Sequence, residues 1–214
     1  MFAADDVLYE DRITPSRLLQ AEARRRLGLD PSDFVVLHRG RMAPRSGIDT
    51  ALLGVALLRF QHGVEATLLI AADDCLEPGS VAGAERARLR QLARELGIEV
   101  RVHFMACPCI DTGAHCDAAC DATCDAACDV LVNLPWQASY GGAGTEAAAW
   151  VRPATGAAGG AASAASVVDG VTGWLVAPRD AQALAARLAH LARLQRSPGL
   201  ARPIEAAGSK RGPA

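Results

Sequence analysis

The sequence predicts an α/β fold, with a Rossmann-like parallel sheet that carries helices on both faces. Short continuous apolar runs, such as residues 34–37 and 130–132, are typical of strands that are covered on both faces. Amphipathic segments lie between these runs, and the clearest of them, residues 85–96, carries leucines at helical spacing amid arginines. Strands and helices alternate roughly every 25–30 residues, which is typical of right-handed βαβ units and therefore of parallel strands.

The predicted elements follow one another through the central part of the chain. The first is a helix that ends at Gly28. A strand and a glycine-bounded loop follow it, and Asp49 or Thr50 then caps the second helix. Later elements are predicted from the same patterns of apolar residues, caps and glycines. The strands are predicted at residues 34–37, 67–70, 100–104, 130–134 and 173–176, and the helices at residues 14–28, 49–63, 85–96, 115–128, 143–150 and 180–194.

One folded domain with two flanking segments is the organisation that length and composition predict. A chain of 214 residues, half of them hydrophobic, is long enough for one well-buried core. We expect an N-terminal linker and helix over residues 1–30 and the Rossmann-like domain over residues 31–196. Residues 197–214 are polar and rich in glycine and proline, so we expect a disordered tail there.

Charge and cysteine usage argue against several classes of protein. A net charge of −2 argues against a surface for nucleic acids or anionic membranes. No apolar run approaches the ~18–20 residues that cross a bilayer, and the N-terminus lacks the pattern of a signal peptide. The seven cysteines, most of them in one segment, do not form the framework of a secreted disulfide protein. We therefore expect a cytoplasmic protein with reduced thiols.

Ligands on parallel sheets bind at the carboxyl ends of the strands, where loops and helix N-termini present free N–H groups. Four sequence blocks lie in or next to such loops: Gly40 to Asp49, Cys128 to Trp136, Gln137 to Ala149, and Asp169 to Val176. The first is similar to the Gly-Arg-Leu-x-Pro-x-Lys-Gly-Ile-Asp loop of the glycosyltransferase group 1 (family 4) enzymes. The others are similar, in order, to that family's Ala-Asp-Val strand, its Glu-Pro-Phe-Gly and Glu-Ala-Met-Ala motifs, and its Asp-Gly-x-Thr-Gly-x-Leu-Val segment.

Over residues 25–194 the chain thus resembles the nucleotide-sugar-binding C-terminal half of a retaining GT-B glycosyltransferase. The resemblance implies transfer of a hexose from a nucleotide-diphosphate sugar to an acceptor, with no metal and no further cofactor. It also implies a separate N-terminal acceptor domain as a partner, because the active site of such enzymes lies between two domains.

The predicted donor-binding set has five residues, two of which take their roles from the resemblance. Arg41 matches the arginine at the diphosphate and is the candidate catalytic residue, because negative charge builds on the leaving group during transfer. Glu146 matches the glutamate that holds the ribose hydroxyls. Gly40, Arg45 and Gly141 complete the predicted donor-binding set.

Two departures from the family pattern predict impaired activity. Ser46 stands where the family has a lysine, and Ala138 stands where it has the sugar-binding glutamate. Each lost charge-assisted hydrogen bond is worth about 1.5–3 kcal/mol, so the two losses predict a rate lower by a factor on the order of 10²–10⁴. Arg45 is next to Ser46 and is the candidate for partial compensation. The alternative function is a catalytically silent nucleotide-sugar-binding or interaction module on the same fold.

A cysteine repeat between residues 116 and 129 allows two interpretations, a metal site or a buried helix face. Its thiols recur every four residues, and with Cys107, Cys109 and His115 they allow a zinc or copper(I) site. We favour the interpretation that these cysteines fill the buried face of a helix. His38 and His103 are likewise predicted to be packed and neutral rather than catalytic.

Overall fold

A computed structural model describes residues 18–73, 80–105, 118–136, 149–153 and 173–196. The predicted tail over residues 197–214 lies outside these ranges. The described helices are α1 over residues 18–26, α2 Ile48–His62, α3 Val81–Glu95, α4 Ala118–Ala127 and α5 Ala181–Arg196. The strands are β1 Val35–Arg41, β2 Thr67–Asp73, β3 Val102–Met105, β4 Val130–Asn133, β5 Ala149–Pro153 and β6 Trp174–Val176, and a short 3-10 turn, Glu99–Arg101, precedes β3.

The strands form a six-stranded sheet in the order β3-β2-β1-β4-β5-β6. The first four are parallel, with β1 between β2 and β4, which confirms the predicted parallel α/β sheet. β5 runs antiparallel to β4, and β6 runs antiparallel to β5. The helix predicted over residues 143–150 is therefore wrong at residues 149–150, which begin β5, while residues 143–148 lie outside the described ranges.

Helices cover both faces of the sheet, as predicted. On one face, α2, α3 and α5 bury a cluster that includes Leu52, Leu89 and Leu184 against β1, β2 and β4. On the other face, α1 and α4 bury Ala23 and Cys124 against the opposite side of β1 and β2. Because successive side chains of a strand point to opposite faces, each apolar run of β1 and β2 supplies both clusters.

A buried ion pair fixes α1 to the start of β4. The carboxylate of Asp129 accepts hydrogen bonds from Arg24 Nη2 at 2.7 Å, the Val35 backbone N–H at 2.7 Å and Gln20 Nε2 at 3.0 Å. Arg24 Nε also donates to the carbonyl of Ala127 at 2.9 Å. Part of the segment predicted as a linker and helix, residues 18–30, is thus packed on the sheet.

Among the described helices, none is both long enough and apolar enough to cross a membrane.

Candidate functional site

The carboxyl ends of three strands meet at one edge of the sheet. β1 and β4 are parallel, and β6 is also parallel to β4 because both are antiparallel to β5. Residues 41–47, 134–136 and 177–180 follow these strands, so all three segments lie at the same edge. This is the edge at which ligands bind to parallel α/β sheets.

The loop after β1 folds tightly against the end of β4. The Ala43 N–H bonds to the carbonyl of Arg41 at 2.9 Å, and the Ser46 N–H bonds to the carbonyl of Ala43 at 3.2 Å. Gly47 has a φ of 91°, and a Cβ atom at this position would lie 1.7 Å from the carbonyl oxygen of Leu134. Only glycine fits there, because the left-handed conformation and the backbone contact both exclude a side chain.

The N-terminus of α2 opens directly from this loop. Its N-cap residue is Gly47, so no side chain caps the first turn. The acid in that turn, Asp49, faces the neighbouring helix, where its carboxylate accepts a hydrogen bond from Arg88 at 2.5 Å. The first-turn N–H groups and the positive end of the helix dipole are therefore suited to an anion.

Trp136 connects the three segments at this edge. Its backbone N–H donates to the carbonyl of Arg45 at 3.0 Å, and its indole Nε1–H donates to Thr50 Oγ1 at 3.0 Å. The guanidinium carbon of Arg179, in the turn before α5, lies 4.5 Å from the centroid of the Trp136 ring. Trp136 thus contacts the loop after β1 through its backbone, and the first turn of α2 and the turn before α5 through its indole.

Arg41 and Arg45 are exposed and form no ion pair within the described ranges. Other arginines of the same domain are paired with acids: Arg24 with Asp129, Arg39 with Asp125, Arg88 with Asp49 and Glu85, and Arg101 with Asp33. Two cations without an acidic partner at a ligand-binding edge favour an anionic ligand.

The structure brings only part of the predicted donor set together. Gly40 and Arg41 end β1, and Arg45 lies in the loop that Trp136 holds. Gly141, Glu146 and Ala138 lie outside the described residues. Trp136 belongs to one of the blocks that carry the family resemblance, but its contacts with Arg45 and Thr50 were not predicted.

His38 and Ser46 place two polar groups beneath the loop. The His38 ring is fully buried, and neither of its nitrogens has a hydrogen-bond partner of acceptable geometry within the described residues. Burial lowers the pKa of His38 to about 4, although the Ser46 backbone and the Asp49 carboxylate oppose that shift. The prediction of a packed, neutral histidine is confirmed for His38, while His103 is half-buried on β3. The Ser46 hydroxyl is also buried without a partner in the described part of the chain.

The cysteine repeat contributes to the core on the far face of the sheet. Cys124 and Cys128 are buried, and they pack with α1, β1 and β2. Burial raises the pKa of the Cys128 thiol, since the thiolate would lose its hydration. The interpretation that the cysteines fill a buried helix face is confirmed for Cys124, while Cys128 is buried directly after the end of α4. Cys107, Cys109 and His115 lie outside the described ranges, within which no group of three metal-ligating side chains occurs.

Comparison with known proteins matches the part of the chain that contains these blocks. A family model described as "Glycosyl transferases group 1" matches residues 33–193. No curated protein matches the sequence. Among solved structures, sucrose-phosphate synthase from Thermosynechococcus elongatus is 26% identical with a TM-score of 0.58, and the match covers 88% of this chain and 42% of that one.

Two further structures show the same fold at lower identity. The C-terminal domain of a glycosyl transferase group 1 family protein from Francisella tularensis is 14% identical, with a TM-score of 0.58 and 88% of each chain covered. A glycosyltransferase from Rickettsia africae is 15% identical with a TM-score of 0.60, and the match covers 87% of this chain and 44% of that one. The chain therefore spans less than half the length of two of these three structures and most of the third.

Proposed function

This chain belongs to the group 1 glycosyl transferases, and from that premise we propose that it is the donor-binding domain of a retaining hexosyltransferase. The donor is a nucleotide-diphosphate sugar, and the acceptor binds a second domain across a cleft. The observation that carries the proposal is the pair of exposed arginines without an acidic partner, Arg41 and Arg45, beside the uncapped N-terminus of α2.

The chemistry of the reaction explains why cations are needed at this edge. As the bond between the sugar and the diphosphate breaks, negative charge grows on the leaving phosphate oxygens. Arg41 is the catalytic residue in this proposal, because its guanidinium stabilises that charge without a metal ion. The first-turn N–H groups of α2 add a fixed positive dipole. Arg45 lies beside the phosphates, and Gly40 leaves room for them near the backbone.

The other end of the donor is assigned from the family motifs alone. Glu146 accepts hydrogen bonds from the ribose hydroxyls, and Gly141 belongs to the donor-binding set. Both assignments depend on the match of Gln137 to Ala149 with the family motifs.

Impaired catalysis is the second part of the proposal. Ser46 places a buried hydroxyl where a lysine is expected, so this position supplies no positive charge to the leaving group. Ala138 cannot hold a sugar hydroxyl. The same two departures support the alternative function, a nucleotide-sugar-binding module without turnover.

Calorimetric titration of the chain with UDP, GDP and ADP tests the binding site. We expect Arg41→Ala to weaken the preferred nucleotide by a factor of roughly 10–100, the equivalent of one charge-assisted hydrogen bond. Arg193→Ala is the matched control, because Arg193 is exposed on α5 about 20 Å along the helix from its N-terminus. Unchanged affinity in both Arg41→Ala and Glu146→Ala would contradict the assignment of the site.

Release of nucleoside diphosphate from a panel of sugar nucleotides tests the impairment. The double variant Ser46→Lys/Ala138→Glu is expected to release nucleotide faster than the unmodified chain, since it adds a cation and a sugar ligand. Binding that depends on Arg41, with no turnover in either protein, would favour the silent module. Robust turnover by the unmodified chain would show that the departures do not impair it.

A further inference from the structure

We infer that Arg179 is a third cation of the phosphate-binding end of this site and that Trp136 positions it. The inference rests on the proposed function, because it assumes that a diphosphate binds at the loop after β1. Arg179 lies in the turn before α5, outside the four blocks on which the resemblance rests.

The first observation is the backbone of two arginines. Within the described ranges, Arg45 with a φ of 68° and Arg179 with a φ of 66° are the residues other than glycine that have a positive φ. A side chain in this conformation is unfavourable, and such residues cluster where the surrounding structure holds a group for binding or catalysis. These two residues are far apart in sequence, yet both contact Trp136.

The second observation is the position of the Arg179 guanidinium. It lies over the ring of Trp136. The backbone N–H of Trp136 donates a hydrogen bond to the carbonyl of Arg45. Arg179 thus contacts the same residue whose backbone is hydrogen-bonded to the loop at residues 41–47. Arg179 is exposed, as Arg41 and Arg45 are, and the turn that carries it follows β6 at the same edge of the sheet.

The third observation is that stacking leaves the donors of Arg179 free. A guanidinium on an aromatic face interacts through its plane, and its five N–H groups point outwards along that plane. The nearest acid in sequence, Asp180, is engaged elsewhere, since its carboxylate accepts a hydrogen bond from the Ala183 N–H at 2.8 Å. Within the described ranges no carboxylate pairs with Arg179.

Arg179 thus supplies a positive charge to the phosphate-binding end of the site, which the uncharged Ser46 does not. A diphosphate at the loop after β1 would meet Arg41 and Arg45 from one side and Arg179 from the side of the α5 turn. The ligand class is therefore a diphosphate, either as part of a nucleotide or as free pyrophosphate. The planar fork of an arginine suits two phosphate oxygens at once.

Calorimetry with inorganic pyrophosphate and with UDP tests the inference on the full chain. Arg179→Gln removes the charge and is expected to weaken both ligands by about tenfold or more, whereas Arg179→Lys is expected to retain part of the affinity. Arg187→Gln is the matched control, because Arg187 also stacks on a tryptophan, with its guanidinium carbon 5.8 Å from the Trp174 ring. Its substitution is expected to leave both affinities unchanged.

A further variant separates binding from folding. Arg179→Gly suits the positive φ, so it should keep the thermal unfolding midpoint close to that of the wild type while weakening pyrophosphate as much as Arg179→Gln does. If Arg41→Ala loses binding while Arg179→Gln and Arg179→Gly bind as the wild type does, the inference is wrong and the proposed function stands. If neither the Arg41 nor the Arg179 variants change the affinity, both are wrong.

Discussion

The ion pair between Arg24 and Asp129 allows a quantitative prediction of stability. The two side chains are 6% and 7% exposed, and the carboxylate also accepts the backbone N–H of Val35. In Asp129→Ala the guanidinium of Arg24 remains buried and charged, because arginine does not lose its proton in proteins. The Val35 N–H loses its partner in the same substitution.

The magnitude follows from these two losses. Breaking a buried pair by removing one partner costs about 3–5 kcal/mol, and an orphaned buried N–H costs about 1–3 kcal/mol. The two figures overlap, since the first already includes lost hydrogen bonds of the carboxylate. We therefore expect Asp129→Ala to lower the free energy of unfolding by about 3–5 kcal/mol, a large part of the ~5–15 kcal/mol that is typical of a domain. Urea denaturation followed by circular dichroism measures it.

Two further variants show whether the buried charge is the cause. Arg24→Met combined with Asp129→Ala removes both charges, and we expect this double variant to be more stable than Asp129→Ala alone. Arg26→Met on the same helix is the exposed control, whose pair with Glu22 should contribute less than about 1 kcal/mol. A loss below about 1 kcal/mol in Asp129→Ala, or a double variant that is no more stable than Asp129→Ala, would refute the reasoning.

Three other predictions follow from the described residues. Burial lowers the pKa of His38 from 6.5 in the unfolded chain to about 4 in the folded chain. The free energy of unfolding is therefore at its full value above pH 6.5 and falls by about 3 kcal/mol as the pH falls towards 4, because the buried ring resists protonation. His38→Phe should flatten the dependence of unfolding free energy on pH in that window, and an unchanged slope would contradict this. Gly47→Ala should lose both stability and nucleotide affinity, since its Cβ would meet the Leu134 carbonyl. A thermal melt and a UDP titration measure the two losses, and wild-type values in both would count against the close contact. Cys124 and Cys128 should resist iodoacetamide in the folded chain and react after unfolding, as located by mass spectrometry; prompt labelling of the native protein would be the contrary result.

The parallel part of the sheet was predictable because its strands are buried on both faces. Such strands appear as short apolar runs, and the runs at residues 34–37 and 130–132 lie in or around β1 and β4. β5 was missed because the alanine-rich segment before it has a high helix propensity. Its pairing with β4 is a contact between strands, which local sequence patterns do not encode.

The site was predictable only where a contiguous block carries it. Gly40, Arg41 and Arg45 lie within one loop, so their proximity follows from chain connectivity. The helix N-terminus beside them could also be expected, because Gly47 ends the loop and an apolar helical pattern follows it. The left-handed backbone of Arg45 had no local signal, since glycine and asparagine are the residues that usually adopt it.

The amino-acid sequence determines the α/β class, the order of most elements and the loop that carries Arg41, because apolar periodicity, caps and glycines act over a few residues at a time. Tertiary structure alone places Arg179 over Trp136 and brings the carbonyl of Leu134 against Gly47. Each of these contacts joins segments far apart in the chain. They depend on how β1, β4 and β6 align at the edge of the sheet, and that alignment is set by the packing of both cores at once.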